Sequence, residues 1–80
     1  MACIDANGNI TRSAELILLA VMRPVSVEQV AGESGLAVFR VRGALRELTQ
    51  AGFISQIAGT FQITNEGQTA LEGRRDKEES

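Results

Sequence analysis

Histidine, tryptophan and tyrosine are absent from this chain of 80 residues, and cysteine and proline occur once each. Without histidine the chain lacks the commonest general base and the commonest metal ligand. A lone Cys3 can form neither an internal disulfide nor a cysteine-based metal site. These absences point away from catalysis, and neither a cofactor nor a metal is expected. Long apolar runs are missing too: the longest, Leu16 to Met22, falls far short of a bilayer span. No basic stretch followed by an apolar segment and a cleavage site opens the chain, so a cytoplasmic location without membrane contact is expected. The string Asp5-Ala6-Asn7-Gly8-Asn9 starts like a calcium loop, but Ile10 stands where the loop needs glycine and Leu16 where it needs glutamate.

What is present suits one small globular domain, with 44% apolar residues. A net charge of −2 argues against strong non-specific affinity for nucleic acid. The charge is unevenly spread. Residues 36–71 carry Arg40, Arg42 and Arg46 against Glu47 and Glu66, whereas the segments on either side are acidic on balance.

Three divisions follow from composition: residues 1–10 as an N-terminal arm or small hairpin, 11–72 as the folded domain, and 73–80 as a charged, disordered tail. In the first, Asn7-Gly8 between Ile4 and Ile10 reads equally as a hairpin turn or a loose arm. A helix is predicted from Thr11 or Ser13 to Met22, closed off by Pro24. Ser26 and Gln29 have capping-box spacing, so a short second helix starts at Ser26 and ends near Glu33, before Gly35. A third helix is predicted over 37–51, with Val41, Ala44, Leu45 and Leu48 on its inner face and Gly52 as its left-handed stop. Two strands, Phe53 to Ile57 and Thr60 to Ile63, turn at Ala58-Gly59, and Thr64 caps a last short helix to Leu71. Leu36, Val41, Leu45, Leu48 and Phe61 are the predicted core.

This order resembles the winged helix-turn-helix superfamily, with MarR-like repressors as the nearest flavour: a mostly α fold with a small antiparallel β-hairpin. The resemblance covers Met22 to Leu71. It is carried by Ser26-Val27-Glu28-Gln29-Val30-Ala31, Ser34-Gly35-Leu36, and Val41-Arg42-Gly43-Ala44-Leu45-Arg46-Glu47-Leu48. Ala51-Gly52-Phe53-Ile54 and Phe61-Gln62-Ile63-Thr64-Asn65-Glu66-Gly67 complete it. It implies a small DNA-binding regulator whose third helix enters the major groove of double-stranded DNA, with Val38, Phe39, Arg40, Arg42, Gly43 and Arg46 at the DNA-facing positions. Two departures stand out. Ala37 occupies the cap position where such proteins carry Ser or Thr, and the hairpin from Ile54 to Ile63 holds no Lys or Arg. The uncharged hairpin and the acidic balance suit the alternative reading of a winged-helix module that binds a protein partner and no DNA.

Two residue-level questions stay open in the sequence. Phe39 reads either as an exposed contact to a protein or a thymine methyl, or as core tucked against the second helix; we favour the second. The first helix is apolar nearly all round, so it is either buried by the rest of the chain or forms a homodimer interface through Leu18 and Val21. Arg74, Arg75 and Lys77, interleaved with acids, read as a solvated tail.

Overall fold

Thr11 opens the first helix: its hydroxyl oxygen accepts from the Ala14 N–H at 3.4 Å, and α1 runs Arg12–Ala20. The computed structural model describes residues 4 and 9–79, with side chains as far as residue 74. α1 stops two residues before the predicted Met22, as the Val21 N–H closes on the Ile17 carbonyl at 3.1 Å and the chain turns towards Pro24. Next, α2 spans Val27–Ser34 with both halves of the capping box made: Gln29 N–H to Ser26 Oγ at 3.3 Å, and Ser26 N–H to Gln29 Oε1 at 3.0 Å. Such a cap contributes about 1 kcal/mol.

α3 covers Val38–Gln50 and ends in a Schellman motif. The Phe53 N–H reaches the Leu48 carbonyl at 2.9 Å and the Gly52 N–H reaches Thr49 at 3.1 Å, with Gly52 at φ 87. The chain then enters the wing, β1 (Ile54–Ile57) and β2 (Thr60–Ile63), antiparallel with Ile54 opposite Ile63 and Gln56 opposite Phe61. At its tip Ala58 (φ 52) and Gly59 (φ 82) both take left-handed backbone, the signature of a two-residue type I′ turn. β2 has a second neighbour that the sequence did not announce. Val25 pairs with Phe61 through two hydrogen bonds, at 3.1 and 2.8 Å, and so ties the loop after α1 to the wing.

The Ile63-Thr64-Asn65-Glu66-Gly67 run works as a clamp. Thr64 donates its hydroxyl to the Gly52 carbonyl at 2.6 Å and accepts from the Gly67 N–H at 3.1 Å. Gly67 is buried so closely that a Cβ there would collide with the Phe53 carbonyl oxygen and the Ile63 side chain. From this clamp α4 runs Asn65–Glu79, through the segment expected to be a disordered tail. One reason is Arg74. Packing of α4 on α1 brings its Nε to Glu15 Oε1 at 3.1 Å and its Nη1 to the Ile10 carbonyl at 3.3 Å. Arg74 is therefore a half-buried tie between the two ends of the domain, not part of a solvated tail.

The core gathers Ile17, Leu18 and Val21 around Val30, Val41, Leu45, Leu48, Ile54, Ile63 and Leu71. α1 lies at its centre, packed against α2, α3 and α4. Leu18 and Val21, for which the sequence left burial or a homodimer interface open, are sealed within the chain, while Leu19 and Met22 are exposed. Leu36, predicted as core, is half-buried at its edge because it lies in the loop between α2 and α3. At the N-terminus Ile4 and Ile10 form an antiparallel bridge, and Ile10 is buried. The Asn7-Gly8 turn and Cys3 lie outside the described residues.

Candidate nucleic-acid interface

Gly35 creates the surface from which α3 projects. Its left-handed φ of 76 ends α2, its N–H bonding to the Ala31 carbonyl at 3.0 Å, and reverses the chain into α3. The Leu36 N–H then bonds to Ser34 Oγ at 3.3 Å. No side chain caps α3: Ala37 has none to offer, and its carbonyl alone receives the Arg40 and Val41 N–H groups. What fixes α3 is burial of Val41, Ala44, Leu45 and Leu48 along one stripe. At about 100° per residue, Val38, Phe39, Arg40, Arg42, Gly43, Arg46 and Gln50 face outward, with Glu47 and Thr49 half-buried at the border.

Outward-facing residues divide into two sets. Arg42 and Arg46, one turn apart, border a groove of about 290 Å³ that also takes in Val27 at the start of α2, Leu45, Thr49 and Gln50 on α3, and Gln56 and Phe61 on the wing. Phe39, Arg40 and Gly43 border a different hollow over Ala44. Of the six expected DNA-facing residues, the structure therefore joins Arg42 to Arg46 and places Arg40 on the opposite flank; all six are solvent-exposed. Phe39, for which we favoured a core position, is 76% exposed, and Val38 is 40% exposed. Both belong to the first turn of α3, ahead of the buried stripe that begins at Val41.

Electrostatically, α3 differs from the rest of the domain. Among the described residues, Arg12 and Arg74 pair with Glu15 and Arg23 pairs with Glu33, whereas Arg40, Arg42 and Arg46 pair with no carboxylate. Three guanidinium groups are thus open to an external anion. The wing adds no charge. Its inner face presents Gln56 and Phe61 to α3, and its outer face presents Ile57, 69% exposed, beside Pro24. Gln56 and Phe61 were missed as site residues, although strand alternation puts both on one face with Ile54 and Ile63. Among the described residues no cluster of His, Cys, Asp or Glu could hold a metal, and no helix is long and apolar enough to cross a membrane.

Residues 9–69 match the HemN C-terminal domain family. The chain belongs to that family. Its fold also matches a crystal structure of ligand-free NadR, with a TM-score of 0.76 at 19% identity over 89% of this chain and 55% of that one. The chain spans about half the length of NadR, and at that identity the likeness concerns the fold alone. Comparison with curated proteins gave no match. Four helices with a two-stranded antiparallel hairpin make this HemN C-terminal domain a mostly α, winged-helix-like fold, as the sequence pattern implied.

Proposed function

We propose that the domain binds duplex DNA through α3 as a transcription-regulator module, with Arg42 and Arg46 as its principal contacts. The observation that carries this reading is the set of three α3 arginines that have no carboxylate partner among the described residues. One turn of spacing lets Arg42 and Arg46 meet successive phosphates or a guanine edge. The likeness of fold to NadR is compatible with this use, and a MarR-like repressor is its finer form. No cofactor and no catalytic step belong to the proposal.

Titration of the isotope-labelled chain with random duplex DNA at low salt tests it by NMR. Shifts concentrated over residues 37–50 are expected. Affinity should fall steeply with salt, because binding by few cations rests on counterion release. Arg42→Glu with Arg46→Glu should abolish binding and leave the fold intact, since both side chains are exposed. Binding of the double variant at wild-type strength would exclude α3 as the reader. If Arg42 forks onto guanine, Arg42→Ala costs about 1–3 kcal/mol and relaxes sequence preference. A phosphate contact instead lowers the salt slope by about one, uniformly across sequences.

A protein-binding module is the second reading, favoured by exposed Phe39 and Val38, by the uncharged wing, and by the family's name, which points to the terminal domain of a larger protein. Absence of any shift with duplex DNA at low salt would select it, with Val38 and Phe39 as the first residues to replace. A homodimer through α1 is a further proposal, and it would rest on Leu19 and Met22.

A further inference from the structure

Gly43 is a glycine that the fold does not require. It lies in the interior of α3, where glycine weakens a helix, and its backbone is not left-handed. A Cβ there would meet nothing within 4 Å, so no close approach keeps a side chain out. What the missing side chain leaves open is a hollow of about 310 Å³ over Ala44, bordered by Phe39 and Arg40. Phe39, one turn earlier, is 76% exposed, and Arg40 has no carboxylate partner among the described residues. No carboxylate lines the hollow. A phenyl ring and a guanidinium group both stack on flat aromatic ligands, and the guanidinium adds a positive charge. An apolar side chain of a protein partner would cover Phe39 and strip water from Arg40 without pairing it. The ligand that answers both residues is flat, aromatic and attached to an anion: a nucleobase with its phosphate. In a duplex such a base is held between its neighbours, whereas in a single strand it is free to turn onto an aromatic side chain.

We propose that this hollow takes up an unpaired base of single-stranded DNA, stacked on Phe39 with the adjoining phosphate at Arg40. The site lies on the flank of α3 that the duplex reading leaves unused, so the two stand or fall separately. Affinities of the whole chain for fluorescent oligothymidylate, for an abasic strand of equal length and for a duplex are measured at low salt. Oligothymidylate is expected to bind about tenfold more tightly than the abasic strand, as one base stacked on an aromatic ring would give. Phe39→Ala should remove that advantage and leave the affinity for the abasic strand unchanged. Gly43→Leu fills the hollow from an exposed position and should do the same. Arg40→Gln should weaken both strands and lower the salt slope by about 0.7. Because the chain has no Trp or Tyr, the indole of Phe39→Trp reports on this position alone. Its emission should be quenched by oligothymidylate and not by the abasic strand. Circular dichroism checks that each variant keeps its fold. Equal wild-type affinity for the two strands, an equal loss for both in Phe39→Ala, or an unquenched indole overturns the site. A chain that binds duplex and no single strand overturns the site and leaves the duplex reading intact. The reverse result supports the site and overturns the duplex reading.

Discussion

Helices α1 and α3 carry six apolar residues each and meet opposite fates. In α1 they are absorbed, with Ile17 and Leu18 fully buried and Leu19 the one large apolar side chain left exposed on the helix. In α3 they divide: Val41, Ala44, Leu45 and Leu48 go inside, while Val38 and Phe39 stay in solvent. The difference comes from position, not composition. α1 is packed from three directions by other helices, so even an all-round apolar helix finds cover within one small chain. In α3 burial begins only at Val41, and the first turn stays exposed. Apolar exposure is therefore displaced from the helix that looks sticky to the helix that carries the positive charge.

Core truncation should sharpen this contrast most. Leu18→Ala in α1 and Leu45→Ala in α3 should each cost roughly 2–5 kcal/mol, enough to unfold a domain of this size. Phe39→Ala should change stability by no more than about 0.5 kcal/mol, as expected of an exposed site. Urea melts followed by circular dichroism measure all three. A Phe39→Ala loss comparable to that of Leu45→Ala would place Phe39 in the core and erase the distinction.

The elements fixed by local chemistry were legible in the sequence. Ser26 with Gln29 announced α2, Gly52 announced the end of α3, and Ala58-Gly59 announced the wing turn, because each depends on residues within a few positions of one another. The features that escaped depend on long-range packing. Val25 pairs with Phe61 and Arg74 reaches Glu15 only once the helices are assembled. The geometry of the candidate site was legible to the same extent. Helical phase placed Arg42 and Arg46 together on the outer side, but it could not show that Gln56 and Phe61 of the wing line the same groove. Nor could it decide the fate of Phe39, which rests on tertiary packing around the first turn of α3.

Glu15 offers the next largest effect, because it ties α1 to α4. Its carboxylate is almost wholly buried and receives Arg74 at 3.1 Å and Arg12 at 3.3 Å. Glu15→Ala leaves the Arg74 guanidinium half-buried with one acceptor fewer, and should cost about 1–3 kcal/mol. Because the pair sits far along the chain from α3, DNA affinity of the folded fraction should be unchanged. Hydrogen exchange should show faster opening of the α4 amides beyond Leu71 and little change in α3. Uniform acceleration across both helices would mean that Glu15 supports the whole core, and that α1 and α4 do not form a separable pair.

Ala58 tests the comparison at its smallest scale, because the wing is where strain takes the place of burial. It is the one described non-glycine residue with positive φ, at 52, and left-handed backbone costs an alanine about 1–2 kcal/mol. Glycine would remove that strain but would give back about 0.4–1 kcal/mol through the added freedom of the unfolded chain. Asparagine tolerates the left-handed region and keeps an ordinary unfolded backbone, and Asn-Gly is the preferred pair for this turn. Ala58→Asn should therefore stabilise the domain by about 0.5–1 kcal/mol, and Ala58→Gly by less, read as a shift in the urea midpoint. Duplex affinity should not move in either variant, because the wing tip lines neither hollow that borders α3. A stabilised Ala58→Asn domain with altered DNA affinity would place the wing tip against DNA and end the claim that α3 alone does the reading.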